Sequence, residues 1–432
     1  MSNKTNDKGT RKRNPSPERV NGEGANLVIG NSLFPCYHIS RMSKKNSVVV
    51  IGGGFGGVYT VKELLKRRIP VTLVSETNFF TFTPLLHEVA TGILTSDDIT
   101  FEYASFFNSP RFSFIRGRAE DIDFDRRVVI VDGTKVSYDD VVIATGSSTN
   151  FYGLKGREHT LELKTIEDAA KLKKRMIELG QGVEGEVFVT VIGGGPTGIE
   201  LVFEMELFLK ELKRHNPRLN YQLRVIQLSS AILSPFPEHI QRRAMTLLKL
   251  RGIDVLLETT ALEVTTDVIK TDQGTFPSNL TVMTAGVTPN VDCVMSASRV
   301  VDRGHLQVDE SLRVVDREHA FALGDVIAMN GAPTPKLAQT ATQQASVIAE
   351  NIVRSREKRS LVTYVFDVRG MLVSFGYRDG AGLILGLTIL GLPAWFLWRT
   401  VYLFKTPGLS NKLRVAFSWT IDLFQKRNLA EE

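Results

Sequence analysis

Cysteine is almost missing from this chain. Cys36 and Cys293 are its two thiols, and they form neither a CxxC nor any metal-ligand spacing. That argues against a disulfide scaffold and a cysteine-ligated metal, and makes a reduced compartment the default expectation. A strong charge of either sign is lacking too. The formal net charge is +6 over 432 residues, and no dense basic stripe with interleaved aromatics occurs, so nucleic acid is not an expected partner. The opening stretch, MSNKTNDKGTRKRNPSPERVNGEGAN, lacks large apolar side chains and so cannot offset its own ordering entropy. It has no apolar core of a secretory signal, and Asp7, Glu18 and Glu23 argue against a transit peptide. Residues 1–46 therefore read as a disordered leader or as sequence upstream of the functional start, with Met42 opening MSKKNSVVVIGGG. Long apolar runs are scarce as well. The longest uncharged candidate, AGLILGLTILGLPAWFLW over 381–398, is at the lower limit for a membrane span and is interrupted by three glycines and Pro393. The remaining composition, 43% hydrophobic and 23% charged, is that of a globular protein long enough for two or three domains.

What is present is glycine in two matched settings. SVVVIGGGFGGVYTVKEL (47–64) reads as a buried strand, a turn with Gly52, Gly54 and Gly57 in G-x-G-x-x-G spacing, and a helix. The first glycine allows the tight turn, the second a close approach to a pyrophosphate, and the third helix-on-strand packing. The helix N-terminus then presents its partial positive charge to the phosphates. FVTVIGGGPTGIELVFEM (188–205) repeats the design with Gly193, Gly195 and Gly198. Gly52 precedes Gly146 of VVIATGS by 94 residues, and Gly193 precedes Gly286 of VMTAGV by 93, as expected of a duplicated dinucleotide-binding unit.

Ribose contacts are expected one strand later. In the first unit VTLVSE (71–76) puts Ser75 at the strand end and Glu76 one step on. In the second, LRVIQLSS (223–230) puts Gln227 there, with no carboxylate to repel a 2′-phosphate. NADH is the first choice of donor, and charge leaves NADPH open. A third element, HLQVDESLRVVDREHAFALGDV (305–326), reads as a hairpin-like pair leading to a strand that ends in Gly324–Asp325, where the carboxylate can accept a ribityl or ribose hydroxyl.

Together these motifs resemble the two-dinucleotide-fold flavoproteins, in the family's order and over roughly residues 47 to 345. NFFTFTPLLHEVATG (78–92) and PKLAQTATQQA (335–345) resemble, more narrowly, type II NADH dehydrogenases, the single-subunit NADH:quinone oxidoreductases. The cysteine pair of the disulfide-reductase branches is missing from VYTVKELLKRR, and Cys293 alone cannot form the relay of sulfide:quinone oxidoreductases. The resemblance implies an α/β fold of two Rossmann-like domains with a C-terminal amphipathic membrane-docking region. It places a first FAD-binding part at 47–155, the NAD(P)H domain at 156–295, a second FAD part with the quinone segment at 296–360, and the membrane-associated region at 361–432. FAD would be lined by Gly52, Gly54, Phe55, Gly57, Ser75, Glu76, Ala144, Thr145, Gly146, Gly324 and Asp325. NAD(P)H would meet Gly193, Gly195, Thr197, Gly198, Glu200, Gln227 and Gly286. A membrane quinone would meet Gln339 and Gln343, four apart on one helix face. Hydride would pass from NAD(P)H to the flavin and then two electrons to quinone, with no metal and no protein nucleophile.

The tail completes the expectation. On a helical wheel for 412–426, Leu413, Ala416, Phe417, Thr420, Ile421, Leu423 and Phe424 share a face with Trp419, and Arg414, Ser418, Asp422, Gln425 and Lys426 lie opposite. With Trp395, Phe396 and Trp398 upstream, the tail is expected to lie on an anionic bilayer. The enzyme would then be a peripheral membrane protein, on the cytoplasmic face of the plasma membrane if the source is bacterial. The alternatives are packing on its own domain or a homodimer interface. Two rival functions accompany the main reading: a soluble flavin reductase serving a protein acceptor such as ferredoxin, and a non-catalytic flavin-binding sensor.

Overall fold

The computed structural model describes residues 47–182, 186–329 and 335–424. The leader expected over 1–46, with Cys36, lies outside the described residues, as do Gln425 and Lys426 of the tail helix.

Two parallel sheets organise the chain. The first has the strand order Ala320–Ala322, Asp140–Ile143, Val48–Ile51, Val71–Ser75, Phe112–Arg116, all parallel. The second has the order Thr160–Glu162, Leu280–Met283, Glu186–Ile192, Asn220–Ile226, Ile253–Leu256, again all parallel. Helices cover both faces of such sheets, which is why the central strands are runs of Val, Ile and Leu with no polar alternation. VVVI at 48–51 is buried at every position.

The near-equal spacing between the two glycine pairs has a structural cause. Each unit runs strand, glycine turn, helix, strand, crossover, strand, three-stranded antiparallel meander and return strand. The meanders are Ala119–Asp123, Val128–Val131, Thr134–Ser137 in the first unit and Ala261–Val264, Val268–Thr271, Gly274–Pro277 in the second. Beyond the return strands, Ser147–Thr149 and Val287–Pro289 pair antiparallel with each other, which ties the two units together. Ala320–Ala322 then rejoins the first sheet, and the helix Ala338–Arg356 packs on the first glycine-loop helix, Phe55–Lys66.

The uncharged run at 381–398 is not one helix. It forms two strands of an antiparallel sheet, Gly380–Ile384 and Leu387–Leu390 beside Met371–Ser374, and then the start of the helix Leu392–Lys405. Gly386 and Gly391 hold φ of 81° and 70°, the left-handed conformation that turns the chain at both junctions. Pro393 sits in the first turn of the helix, where its missing N–H costs nothing. Among the described residues no helix is long and apolar enough to cross a membrane.

The tail corrects the expectation for its tryptophans. Trp395, Trp398 and Trp419 are buried, the last two at 1% and 4% exposure. The helix Leu409–Phe424 turns Val415 and Trp419 inward together with Asn411, Ser418 and Asp422. The reason is partner chemistry. The Asn411 amide donates to the carbonyls of Asp97, Asp98 and Thr100, Ser418 donates to Asp98, and Arg399 pairs with Asp422 at 2.9 Å. A wheel that sorts residues only by polarity cannot see these acceptors. Phe396, Phe404, Leu409, Leu413 and Phe417 remain on the outside; the side chain of Phe424 lies outside the described residues.

Candidate functional site

The first glycine turn follows Val48–Ile51 because Gly52 adopts φ 103° and tucks under Ala144, whose carbonyl a Cβ would overlap. A Cβ on Gly57 would overlap the Gly52 carbonyl, so the third glycine sets the closeness of helix and turn. Gly54 faces open space and caps the helix without a side-chain hydrogen bond or an acidic first turn. The leading N–H groups of Phe55–Lys66 are thus left for an anion. The Phe55 ring packs inward on Phe80 and Phe82, so its backbone is what it offers the crevice. Ser75 is buried at the strand end, beside the Tyr103 hydroxyl that donates to the Gly53 carbonyl at 2.8 Å. Glu76, one residue later, is exposed at the lip.

Ala144, Thr145 and Gly146 close the other wall. The Thr145 hydroxyl donates to the Asn290 carbonyl at 2.6 Å, and the Asn290 amide returns a bond to the Thr145 carbonyl at 3.1 Å. Gly324, at φ 80°, donates its N–H to Oε1 of Gln344. The Asp325 carboxylate accepts from the Ser147 hydroxyl at 2.7 Å, and Lys164 reaches the same hydroxyl at 3.4 Å. Lys336 donates to the carbonyls of Asp325 and Ile327. Burial pulls both lysines below the ordinary lysine range, opposed by the Asp325 charge. Asn290, Ser147, Lys164, Lys336 and Gln344 escape the sequence reading. Lys336 opens the quinone-like segment and could have been flagged; Lys164 stands in an ordinary amphipathic stretch and carries no signal.

The second crevice repeats the first. Gly193 holds φ 118°, a Cβ on Gly198 would overlap the Gly193 carbonyl, and Gly195 faces open space. The helix Pro196–His215 again starts without a side-chain cap or acidic first turn, with Thr197 exposed on it. Gln227 closes the strand end. Its Oε1 accepts from Gly194 N–H at 2.7 Å, while its amide donates to Ser229 and Ala231. Gly286, at φ 67°, lies under the phenol of Tyr152.

Glu200 departs from the expectation that it serves the NAD(P)H loop. Its carboxylate is buried and accepts from Ser374 N–H at 3.0 Å and Trp398 Nε1 at 2.9 Å. Nearby, Glu88 of LHEVATG is buried and accepts from Trp419 Nε1 at 2.7 Å. Burial pushes both carboxyls up to about 8. Arg399 pulls Glu88 down, and the buried Glu204 pushes both up further. The Arg399 guanidinium is itself sandwiched between Trp395 and Trp419, at 4.1 and 5.2 Å from their ring centres. An indole N–H needs an acceptor once buried, and these carboxyls supply it.

Gln339 and Gln343 share a helix face, as their spacing requires, and both donate to the backbone carbonyl of Asp367, at 3.2 and 2.7 Å. Gln343 also accepts from Asp367 N–H. Their amides thus clasp the segment after the helix. Cys293 is buried, and burial raises its thiol to about 12, which fits no thiolate chemistry.

A family model described as pyridine nucleotide-disulphide oxidoreductase matches residues 46–345. The chain is 30% identical over 392 residues to the demethylphylloquinone reductase NdbB of Synechocystis sp., covering 86% of this chain and 95% of that protein. It is 25% identical over 418 residues to the type II NADH:quinone oxidoreductase Ndh of Mycobacterium tuberculosis, covering 89% of each. Among solved structures, NDH2 from Plasmodium falciparum in complex with NADH superposes with a TM-score of 0.81 at 18% identity, over 90% of this chain and 100% of that one. The sulfide:quinone oxidoreductase of Aquifex aeolicus follows the same fold with a TM-score of 0.72 at 23% identity, over 89% and 96%. The chain belongs to the pyridine nucleotide-disulphide oxidoreductase family, in its type II NADH:quinone oxidoreductase branch.

Proposed function

We propose that this protein oxidises NADH with a bound FAD and reduces a quinone at a lipid surface. The observation that carries the reading is the pair of uncapped glycine-loop helices, with the turns that follow their return strands hydrogen-bonded to each other through Asn290. Two dinucleotides held in such crevices approach each other at that junction. The first crevice fits FAD: an open Gly54 for the pyrophosphate, an exposed Glu76 for ribose hydroxyls, and Asp325 for a further hydroxyl. When bound, FAD supplies the redox chemistry, accepting hydride from NADH and giving two electrons to the quinone.

The chain's own groups bind and orient. The helix N-termini hold phosphates, Lys164 and Lys336 keep positive charge beside Asp325, and Gln227 braces the second glycine loop. Because Gln227 carries no charge, NADPH should be tolerated beside NADH. We assign quinone contact to the Gln339 and Gln343 face, which requires their grip on Asp367 to open.

Docking to lipid rests on the exposed side chains Leu385, Leu387, Phe396, Phe404, Leu413 and Phe417, with Lys412 5.7 Å from the Phe404 ring centre and Arg414 next to Leu413 in sequence. An apolar patch edged by cations suits an anionic bilayer. The attachment would be peripheral, on the side that holds NADH, which in a bacterium is the cytoplasmic face of the plasma membrane. A homodimer would compete for the same patch, and the liposome experiment separates the two. Flotation with anionic vesicles at low salt should carry the protein upward, and added NADH and quinone should turn over. Protein left in the dense fraction as a stable dimer would refute the docking reading. A flavin that NADH bleaches without quinone turnover would favour the sensor.

A further inference from the structure

The two nucleotide units can be compared position by position. After the return strand of the first sheet, Asp140–Ile143, the chain turns at Gly146; after that of the second, Leu280–Met283, it turns at Gly286. Both glycines hold φ 67°. Each turn lies beyond the carboxyl ends of a return strand and its neighbouring glycine-loop strand, and there the strand order reverses. That is the crevice in which open parallel sheets take their ligands. One turn is open and the other is covered. A Cβ on Gly146 would meet nothing within 4 Å, whereas one on Gly286 would overlap the hydroxyl, Cζ and Cε2 of Tyr152.

We propose that Tyr152 is a lid on the NADH crevice, its phenol lying on Gly286 and giving way each time the dinucleotide enters. This rests on the reading of the second unit as the NADH site. The asymmetry between the units then has a functional sense. A resident FAD enters once, but a dinucleotide substrate exchanges on every turnover, so only its crevice gains from a cover that moves.

The local structure suits a movable cover. Tyr152 is 70% exposed, and its hydroxyl makes no hydrogen bond among the described residues. The ring rests on Gly286, and no side-chain hydrogen bond among the described residues fixes it there. Tyr152 N–H donates to Asn150 Oδ1 at 2.8 Å, and Leu154 N–H to the Phe151 carbonyl at 2.8 Å, closing a tight turn. Within that turn Tyr152 and Gly153 take left-handed φ of 48° and 74°. A tyrosine rarely holds this conformation unless its surroundings impose it. Tyr152 also lines an open cleft of about 460 Å³, bounded by Asn150, Gly153, Lys155, Arg157 and Thr288. Rotation away from Gly286 therefore has a place to deliver the ring. A cover that must be displaced lowers the apparent affinity by the fraction of time it is shut, so removing it should tighten binding.

The test compares wild type, Tyr152→Ala and Tyr152→Phe, all with FAD bound. Stopped-flow bleaching of the flavin reads the second-order rate with NADH, and calorimetry with NAD⁺ reads affinity without turnover. Tyr152→Ala should raise the second-order rate and lower the NAD⁺ Kd, each by about threefold or more. The rate at saturating NADH should move much less. Tyr152→Phe should match wild type in both, because the hydroxyl has no partner to lose. An unchanged or slower second-order rate in Tyr152→Ala would overturn the lid while leaving the NADH site intact. Failure of NADH to bleach wild type would overturn the NADH site itself, and the lid with it.

Discussion

Two indole-to-carboxyl bonds fasten the tail: Trp398 to Glu200 and Trp419 to Glu88. Both carboxyls are raised to about 8 by burial. An acid with a raised folded pKa favours the folded state when protonated. Its full contribution is present below the ordinary carboxylate pKa and is lost as pH rises through about 8. Tail stability is therefore expected to fall between about pH 4.5 and 8. Glu200→Gln and Glu88→Gln keep an acceptor for the indole and remove the charge, so each should flatten that slope. Denaturant midpoints followed by tryptophan fluorescence across this range are the check. Trp398→Phe leaves the buried Glu200 with one donor fewer and should cost about 1–3 kcal/mol in the same assay. Gly52, Gly146, Gly193, Gly286 and Gly324, all at φ above zero, were legible from sequence because each sits in a turn whose backbone demands the residue type. The tail tryptophans were not. An aromatic that faces lipid and one that faces a buried carboxyl look alike in composition, and Trp419 finds its acceptor 331 residues away in sequence.

At the scale of elements, strand–turn–helix units were the readable part, since each glycine position has a distinct steric reason. Gly57→Ala would drive a Cβ into the Gly52 carbonyl, and Gly198→Ala into that of Gly193. The first should purify with little flavin, read as visible absorbance per chain; the second should keep its flavin and lose most of its reduction by NADH. The run 381–398 was legible only as apolar. Its hairpin follows from Leu385 and Gly386 turning the chain at φ of 50° and 81°, with Gly391 leading into the helix, and alternating neighbours with glycine interruptions suit strands as well as broken helices. The hairpin tip carries Leu385, 89% exposed, with Leu387 beside it. Leu385→Ser with Leu387→Ser should weaken liposome binding severalfold without lowering the thermal midpoint, because neither side chain is in the core.

Across the whole molecule, the duplicated spacing and motif order gave the two-crevice plan, while the pairing of Ser147–Thr149 with Val287–Pro289 and the Asn290 clasp emerged only in three dimensions. Pairing partners 138 to 142 residues apart leave no local pattern. Donor choice belongs to this scale too. Gln227→Glu places a negative charge where a 2′-phosphate would lie, so NADPH oxidation should drop relative to NADH by about tenfold or more. Part of any common loss would come from the amide donors to Ser229 and Ala231, which a carboxylate cannot replace, whereas the bond from Gly194 N–H is kept. The proposed function joins redox chemistry to a lipid surface. It is tested most directly by NADH-driven reduction of a long-tailed quinone in anionic vesicles and of a short, water-soluble quinone. Both are measured for wild type and for Leu385→Ser with Phe404→Ser and Phe417→Ser. Wild type should reduce both, and the variant should keep the soluble quinone while losing about tenfold or more on the embedded one. Equal rates for wild type and variant on the embedded quinone, or a wild type that reduces neither, would contradict the account.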